Sequence, residues 1–352
     1  MEFELTKQQK EIIESPYDWV TVEASAGTSK TLLLIERIKY LVNGGADPTK
    51  IVAITFTKNA AQEIASRLGE IKIGYIGTVH ALANFLLLSH GIDTSDLVED
   101  KTFDLLFERL EDHPECLDMD ISNLLLDEAQ DSNYEQFTFM FDMLQPQRYM
   151  IFYDLKQSIY GFQGASPKVV DNFSKRFGVH NYYMTENFRN SEEIFRYAKQ
   201  KLESATPFKE NAKSTRGSVH PIEFVDYSLE TIYEAISQND KPGDWFVLAK
   251  TNAEVDEIRE YLIRRGIPAE SFKQGSLTNE ELRKKIEDNT VKVLTVHSSK
   301  GLEAKNVVVV SFPLHKQEDH RLLYVALTRA RDLLVFVKLR PGRMKRKKKN
   351  WE

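Results

Sequence analysis

The sequence contains a single cysteine, Cys116, among its 352 residues. One cysteine cannot form an internal disulfide, nor can it build a zinc site that depends on several cysteines. No apolar run approaches the ~18 residues that a membrane-spanning helix requires, and the first residues, MEFELTKQQKE, are too charged and polar for a secretory signal. We therefore expect a protein of the reducing cytoplasm that has no membrane partner.

Internal repeats and long low-complexity tracts are also absent, and the 41% hydrophobic and 28% charged residues are ordinary for a globular protein. The length favours roughly two domains. The net charge of −6 conceals a basic end, because Arg340–Lys349 holds seven basic residues and no acidic one. Such a tail is either a nucleic-acid contact or a solvated end that binds nothing in particular.

Short β-branched runs alternate with helical patterns, which predicts βαβ units around parallel sheets and hence the α/β class. The predicted buried strands are Trp19–Glu23, Ile51–Phe56, Leu124–Asp127, Met150–Tyr153, Trp245–Ala249, Val291–Val296 and Val307–Ser311. The predicted helices are Lys30–Val42, Lys58–Leu68, Glu192–Leu202 and Val255–Arg264. The elements after about residue 190 predict a second α/β unit, and the polar stretch Ser204–Ser218 reads as a loop.

The stretch VEASAGTSKT, Val22–Thr31, nearly matches the phosphate-binding pattern G-x-x-x-x-G-K-[ST], with Ala24 and Ser29 in place of its two glycines. A turn between the first strand and the helix at Lys30 would direct backbone N–H groups at an anion. Lys30 would reach the β- and γ-phosphates, and Thr31 would bind Mg²⁺. By itself the stretch also fits a plain strand–turn–helix with an exposed lysine.

A second stretch, LLLDEAQD, ends a buried strand with two adjacent acids, Asp127 and Glu128. Ligands bind at this end of the strands in α/β sheets. One carboxylate can hold Mg²⁺ while the next activates or orients the attacking water. Such a pair can also be a helix N-cap, but together with the loop it predicts a nucleoside triphosphatase.

From this point the chain resembles the superfamily 1 helicases of the UvrD/Rep/PcrA and RecB/AddA branch. DEAQDSNYEQ is similar to that family's second motif, and ASAGTSKT to its first, in which alanine is frequent at position 24. The other segments that match, in order, are LTKQQKEII (Leu5–Ile13), AITFTKNAAQEIASRL (Ala53–Leu68), GTVHALA (Gly77–Ala83), YDLKQSIYGFQGA (Tyr153–Ala165), TENFRNS (Thr185–Ser191), TVHSSKGLEAKNVVV (Thr295–Val309) and LLYVALTRARD (Leu322–Asp332).

The resemblance implies two RecA-like domains with an ATP cleft between them. It implies a first domain at 1–185 with a reduced helical insertion at about 84–122, a second domain at 186–339 and a basic tail at 340–352. The catalytic residues implied are Lys30, Asp127, Glu128, Gln157, Arg189 and Arg329. ATP would be bound by Gln9, Ala26, Gly27, Thr28, Ser29, Lys30, Thr31, Phe188 and Glu303, and Mg²⁺ by Thr31 and Asp127.

Single-stranded DNA binding needs flat side chains for stacking and polar groups for the backbone. By resemblance the DNA-binding residues are Phe56, Thr57, Thr78, His80, Tyr160, Phe162 and His297. On pattern alone Phe56 could be ordinary core, and the two histidines could be structural. Phe162 lies between Gly161 and Gly164, where a core residue is less expected.

The chain also departs from the family. Leu32 and Gln163 replace arginines that commonly contact adenine and DNA, respectively, in relatives, Ala304 replaces an aromatic residue, and Ser29 replaces a glycine. After the sixth motif only LLVFVKLRPGRMKRKKKNWE remains, so we expect neither a wedge hairpin nor a nuclease, and unwinding would depend on the tail or a partner.

We therefore predict a monomeric ATP-dependent single-stranded DNA translocase or DNA helicase that moves 3′ to 5′ and could engage single/double-strand junctions. A rival hypothesis is a catalytically weak or inactive motor relic that acts as a DNA-binding module, for which Ser29 is the main support. An RNA helicase is a third possibility, which the similarity to the DNA branch disfavours.

Overall fold

The computed structural model describes residues 4–100, 102–161, 164–176, 178–203, 212–217, 222–238, 241–273 and 277–338. The chain divides into two compact units, Met1–Met184 and Thr185–Glu352. The predicted boundary after residue 185 lies one residue beyond this division. The basic tail at 340–352 lies outside the described residues.

The first unit is built on a six-stranded parallel sheet in the order β3-β2-β4-β5-β1-β6. Its strands are β1 (Trp19–Ala24), β2 (Ile51–Ile54), β3 (Tyr75–Gly77), β4 (Asn123–Leu126), β5 (Arg148–Tyr153) and β6 (His180–Met184). Its helices are α1 (Lys7–Ile13), α2 (Lys30–Asn43), α3 (Lys58–Leu68), α4 (Val79–Ser89), α5 (Ser95–Glu99), α6 (Leu105–Asp112), α7 (Tyr134–Phe137) and α8 (Pro167–Ser174).

Both faces of this sheet are covered, as expected of parallel strands. Successive residues of β4 show why, because Leu124 and Leu126 pack into one apolar core while Leu125 packs into the other. Helices α4, α6 and α8 contribute to the first core, and α1, α2 and α3 contribute to the second. The carboxyl ends of the strands are thereby fixed between two helical layers, and the loops that follow them lie at one edge.

The segment between β3 and β4 includes the predicted helical insertion at about 84–122. It consists of α4, α5, α6 and a short 3₁₀ turn, Pro114–Leu117. Helix α6 packs on α4 through buried residues such as Leu106 and Leu110. The segment is therefore part of the packing of the first unit.

The second unit has its own six-stranded parallel sheet, in the order β11-β12-β10-β13-β14-β9, and a separate parallel pair, β7 and β8. The strands are β7 (Glu186–Ser191), β8 (Lys213–Arg216), β9 (Ile222–Val225), β10 (Trp245–Ala249), β11 (Ala269–Glu270), β12 (Val291–Thr295), β13 (Ala304–Val310) and β14 (Ala330–Val337). The helices are α9 (Glu192–Glu203), α10 (Leu229–Ser237), α11 (Asn252–Arg264), α12 (Asn279–Glu287) and α13 (Gln317–Leu327).

The predicted α/β class, with parallel sheets flanked by helices, is confirmed in both units. Each predicted strand and helix corresponds to an observed element, with ends that shift by a few residues at most. The loop predicted at Ser204–Ser218 is wrong for Lys213–Arg216, which forms β8 against β7. Of the helices in the described residues, none combines the length and the apolar character needed to cross a membrane.

Candidate functional site

The loop between β1 and α2 has the backbone of an anion-binding turn. Gly27 has a φ of 74°, and Ser29 adopts the left-handed conformation with φ 67° and ψ 38°. The Thr28 hydroxyl donates to the Ser25 carbonyl oxygen at 2.8 Å and closes the turn. Ala26 and Thr28 are buried, so their side chains point inward and the loop is held from within.

Ser29 therefore takes the conformation that glycine takes at no steric cost. A left-handed residue with a Cβ costs roughly 1–2 kcal/mol. The Ser29 side chain makes no capping hydrogen bond to the first turn of α2 that would offset this cost. The departure from the family pattern is thus accommodated by a strained, left-handed serine.

The first residues of α2 meet the acids that follow β4. The Thr31 hydroxyl donates to Asp127 Oδ2 at 2.7 Å. The Lys30 ammonium donates to the Ala24 carbonyl oxygen at 3.2 Å and lies 3.8 Å from Glu128 Oε1. Strand β5 separates β1 from β4 in the sheet, so the two loops converge across its end.

Asp127 is buried, and this burial followed by the neighbouring Glu128 charge raises the pKa of Asp127 to about 6. The Lys30 ammonium and the hydrogen bond from Thr31 act in the opposite direction and favour the ionised carboxylate. A bound cation would act in the same way. The hydroxyl of Thr31 and the carboxylate of Asp127 are oxygen ligands of the kind that Mg²⁺ prefers, so the donor set fits this ion.

Gln157 reaches the same region through a chain of hydrogen bonds. Its Nε2 donates to Asp154 Oδ2 at 2.7 Å, and the Asp154 backbone N–H donates to Gln130 Oε1 at 2.8 Å. Gln130 Nε2 donates in turn to Glu128 Oε2 at 2.5 Å. Glu128, held with φ 53°, is therefore connected to Gln157 by side chains that are themselves buried.

Gln9, the predicted adenine-binding residue, lies in α1 and is completely buried. Its Oε1 accepts from the Thr6 backbone N–H at 2.9 Å, which completes the N-terminal cap of the helix. Within the described part of the chain its Nε2 has no hydrogen-bond acceptor. A buried amide that still has donors to satisfy fits a residue that binds a polar ligand.

In the second unit, Arg189 donates through Nε to Glu303 Oε2 at 2.6 Å. Glu303 also lies 3.8 Å from Arg331, so two arginines face this carboxylate. Arg329 is buried and donates to the Val325 and Leu302 carbonyl oxygens at 2.9 and 3.0 Å. The structure thus brings Arg189 and Glu303 together, although the family resemblance gives them separate roles.

The remaining two predicted residues of the second unit lie in a strand and in the turn after a strand. Phe188 lies in β7 and is half-buried, next to Arg189. His297 begins a 3₁₀ turn, His297–Ser299, one residue after the end of β12.

The predicted DNA-binding residues of the first unit have different surroundings. The rings of Phe56 and Tyr160 stack with their centroids 5.1 Å apart and an interplanar angle of 25°. Thr57 and Thr78 cap α3 and α4, since their hydroxyls accept from the backbone N–H groups of Ala60 and Ala81, respectively. Phe162, like the neighbouring departure at Gln163, lies outside the described residues.

His80 contacts other residues of the first unit. Its ring stacks on Phe107 at 5.4 Å, and its Nε2 lies 3.0 Å from Asp104 Oδ1. Helix α4 therefore holds this histidine against α6.

Sequence reasoning missed a cluster of three buried charges, Glu23, Asp154 and Lys156. The Lys156 ammonium donates to Glu23 Oε1 at 2.8 Å. A signal was present, because Glu23 interrupts the apolar pattern of β1 and so predicts a buried partner of opposite charge.

Two family models match the chain. The UvrD/REP helicase N-terminal domain matches residues 5–104 and 89–178, and the UvrD-like helicase C-terminal domain matches residues 269–340. These ranges include both predicted phosphate-site motifs and the sixth motif.

Three relatives show how far the similarity extends. A Mycoplasma pneumoniae protein named "Probable DNA helicase" is 23% identical over 95% of this chain and 83% of its own length. The ATP-dependent DNA helicase PcrA of Leuconostoc citreum is 23% identical over 75% of this chain. DNA helicase II of Escherichia coli is 36% identical over 26% of this chain. The chain covers 49% of PcrA and 14% of DNA helicase II.

The chain belongs to the UvrD/Rep-type superfamily 1 DNA helicases, which are ATP-dependent hydrolases.

Proposed function

We propose that the chain hydrolyses ATP in its first unit and uses the energy to move along single-stranded DNA in the 3′ to 5′ direction. The observation that carries the proposal is the meeting of Lys30 and Thr31 with Asp127 and Glu128 at the carboxyl edge of one sheet. Phosphoryl transfer requires charge stabilisation and an aligned water more than covalent chemistry. These four side chains supply a cation, a metal-binding pair and a second acid.

Each residue of the first unit then has a role. Thr31 and Asp127 would hold Mg²⁺, which neutralises charge on the β- and γ-phosphates when it is bound. The backbone N–H groups of the loop and the Lys30 ammonium would bind the phosphates, while Glu128 accepts the proton of the attacking water. Gln157 would contact the γ-phosphate, and Gln9 would bind adenine through the Nε2 donors that have no acceptor in the described residues.

The second unit would complete the site. Arg189 and Arg329 would add positive charge around the transferring phosphoryl group when the units close on ATP, and Phe188 would stack on the base. The Arg189–Glu303 ion pair, 2.6 Å between Nε and Oε2, would open at that point, because the guanidinium is drawn to phosphate and the carboxylate to the ribose. Hydrolysis is thereby coupled to domain movement.

Single-stranded DNA would bind the first unit at the stacked pair of Phe56 and Tyr160. Thr57, Thr78 and His80 of the first unit would be further contacts to the strand, and His297 would be a contact from the second unit. During each ATP cycle the two units would bind the strand tightly in turn, and this alternation would move a monomer along it. Single/double-strand junctions would be engaged from the single-stranded side.

A second candidate function is favoured by one observation, the left-handed Ser29. Strain at the loop that must receive the phosphates could reduce ATP turnover and leave a DNA-binding module. The intact set of Lys30, Thr31, Asp127 and Glu128 supports the motor instead.

ATP turnover should rise sharply with single-stranded DNA. We expect Lys30→Ala and Glu128→Gln each to lower kcat by roughly 100-fold or more, because a phosphate-binding cation or the group that takes the water proton is removed. Lys39→Ala is the matched control, since within the described part of the chain this lysine of the same helix forms an ion pair with Glu36 and no other. If no nucleic acid stimulates ATP turnover, the motor proposal is wrong.

Direction is tested by the displacement of streptavidin from biotinylated oligonucleotides during ATP hydrolysis. Movement from 3′ to 5′ should remove streptavidin from a 5′ end much faster than from a 3′ end. The opposite preference would show that the direction is reversed.

Phe56→Ala should weaken the binding of single-stranded DNA by about 1–3 kcal/mol, because one base loses its stacking surface. The measurement is equilibrium binding of a labelled oligonucleotide at fixed salt. Tyr40→Ala, which removes a more exposed ring near the C-terminal end of α2, should leave the affinity unchanged. Equal losses in the two variants would contradict a stacking role.

Ser29→Gly should raise the free energy of unfolding by about 1 kcal/mol, since relief of left-handed strain exceeds the added entropy of the unfolded chain. Ser166→Gly is the control, because Ser166 also precedes a helix without a capping bond but has φ −131°. Denaturant unfolding is the measurement, with ATP turnover alongside. A moderate rise in an existing turnover supports the motor, whereas activity that appears only with glycine supports the binding module.

A further inference from the structure

Three charged side chains are buried together between β1 and the turn after β5. Glu23, Asp154 and Lys156 are 5%, 0% and 3% exposed. The Lys156 ammonium lies 2.8 Å from Glu23 Oε1 and 3.8 Å from Asp154 Oδ1. Glu23 stands opposite Tyr153 in the parallel pairing of β1 with β5, so the cluster joins adjacent strands at their carboxyl ends.

Stability alone is a weak reason for such a cluster. Removing charges from water costs several kcal/mol per ion, and apolar side chains of similar volume are often at least as stabilising as a buried ion pair. A buried pair that costs this much is better explained by the geometry that it imposes on its neighbours. Its neighbours here are the two segments that form the phosphate site.

One side of the cluster leads to the phosphate loop. Glu23 directly precedes Ala24, and the Ala24 carbonyl oxygen accepts from the Lys30 ammonium at 3.2 Å. A shift of β1 at Glu23 would therefore move the acceptor that holds Lys30.

The other side of the cluster leads to Gln157. The Asp154 carboxylate receives the Lys156 charge near Oδ1 and the Gln157 amide at Oδ2, 2.7 Å from Nε2. The Lys156 backbone N–H also donates to Asp154 Oδ1 at 3.0 Å. The cation and the amide are thus fixed by the two oxygens of a single carboxylate.

We propose that the Glu23–Lys156 ion pair is a positioning device that holds Gln157 in register with Lys30, so that the site distinguishes a nucleotide with a γ-phosphate from one without. Lys156 acts through Asp154 and Gln157 and touches no phosphate itself. The inference rests on the proposed ATP site. Loss of the Glu23–Lys156 ion pair should displace the Gln157 amide, which would contact the γ-phosphate. The contacts to the α- and β-phosphates should stay in place.

The chain offers a matched control in Lys292. This lysine is completely buried in β12 and lies 3.6 Å from Glu270 Oε1. It donates to the Asp288 and Thr290 carbonyl oxygens at 2.6 and 2.7 Å, near the amino end of the strand. Like Lys156, it is a buried lysine whose charge must be removed from water on folding. The contacts described do not connect it to the phosphate loop.

The experiment measures the affinities of a non-hydrolysable ATP analogue and of ADP, both with Mg²⁺, together with kcat and KM for DNA-stimulated ATP turnover. The variants are Lys156→Met, Lys156→Arg, Lys292→Met and the double change of Glu23→Leu with Lys156→Met. The apolar double change removes the ionic link without leaving a buried unpaired charge, so it keeps the test valid if Lys156→Met fails to fold.

We expect Lys156→Met and the apolar double variant to lower kcat and the preference for the analogue over ADP by about tenfold to a hundredfold, the range found when a supporting residue is lost. Lys156→Arg should restore most of both quantities. Lys292→Met should lower stability and leave the preference for the analogue unchanged. Recovery of the preference in the apolar double variant would overturn the proposal, because it would show a purely structural role.

A second cycle combines Lys156→Met with Gln157→Ala. If Lys156 acts through Gln157, the combined variant should be no worse than Gln157→Ala alone, whereas additive losses would overturn the proposal. Failure of the wild-type protein to turn over ATP would count against the motor only, since the analogue and ADP affinities still test the ion pair. Failure to bind either nucleotide would overturn both.

Discussion

The hydrogen bond from the Thr31 hydroxyl to the Asp127 carboxylate, 2.7 Å long, joins the two segments on which the site depends. One segment follows β1 and the other follows β4, with β5 between them in the sheet. Parallel strands covered on both faces place their carboxyl ends at one edge. The loops that follow β1 and β4 therefore lie next to each other at that edge. The packing of the first unit is thus what brings a cation, a hydroxyl and two acids together at one edge of the sheet.

The concentration of charge at this edge has an energetic consequence. Burial disfavours the ionised form of Asp127, and Glu128 beside it adds to the effect, while Lys30 opposes both. The side chains hold one another in place at a cost in solvation that a phosphate and its metal ion would offset on binding. The strained backbone at Ser29 and Glu128, both with positive φ, lies at the same edge. Strain of this kind persists where the surrounding structure determines the conformation.

Much of this arrangement could be predicted from the sequence, because apolar runs mark buried strands and the chemistry follows their ends. The convergence of Lys30 and Thr31 with Asp127 and Glu128 of LLLDEAQD needed only the parallel topology. The Glu23–Lys156 pair was missed because a single charged residue in a strand does not indicate which distant residue will pair with it. Strand β8 was missed because the polar stretch KSTR has no strand pattern, and its pairing with β7 comes from tertiary context.

The central claim is that residues 25–31 and the acids after β4 form the phosphate site. A crystal structure of the protein with Mg²⁺ and a non-hydrolysable ATP analogue tests it most directly. The account predicts the phosphates on the loop and at Lys30, the metal ion bound by Thr31 and Asp127, and the γ-phosphate within hydrogen-bond reach of Gln157. A nucleotide bound elsewhere, or a metal ion with no contact to Asp127, would contradict it.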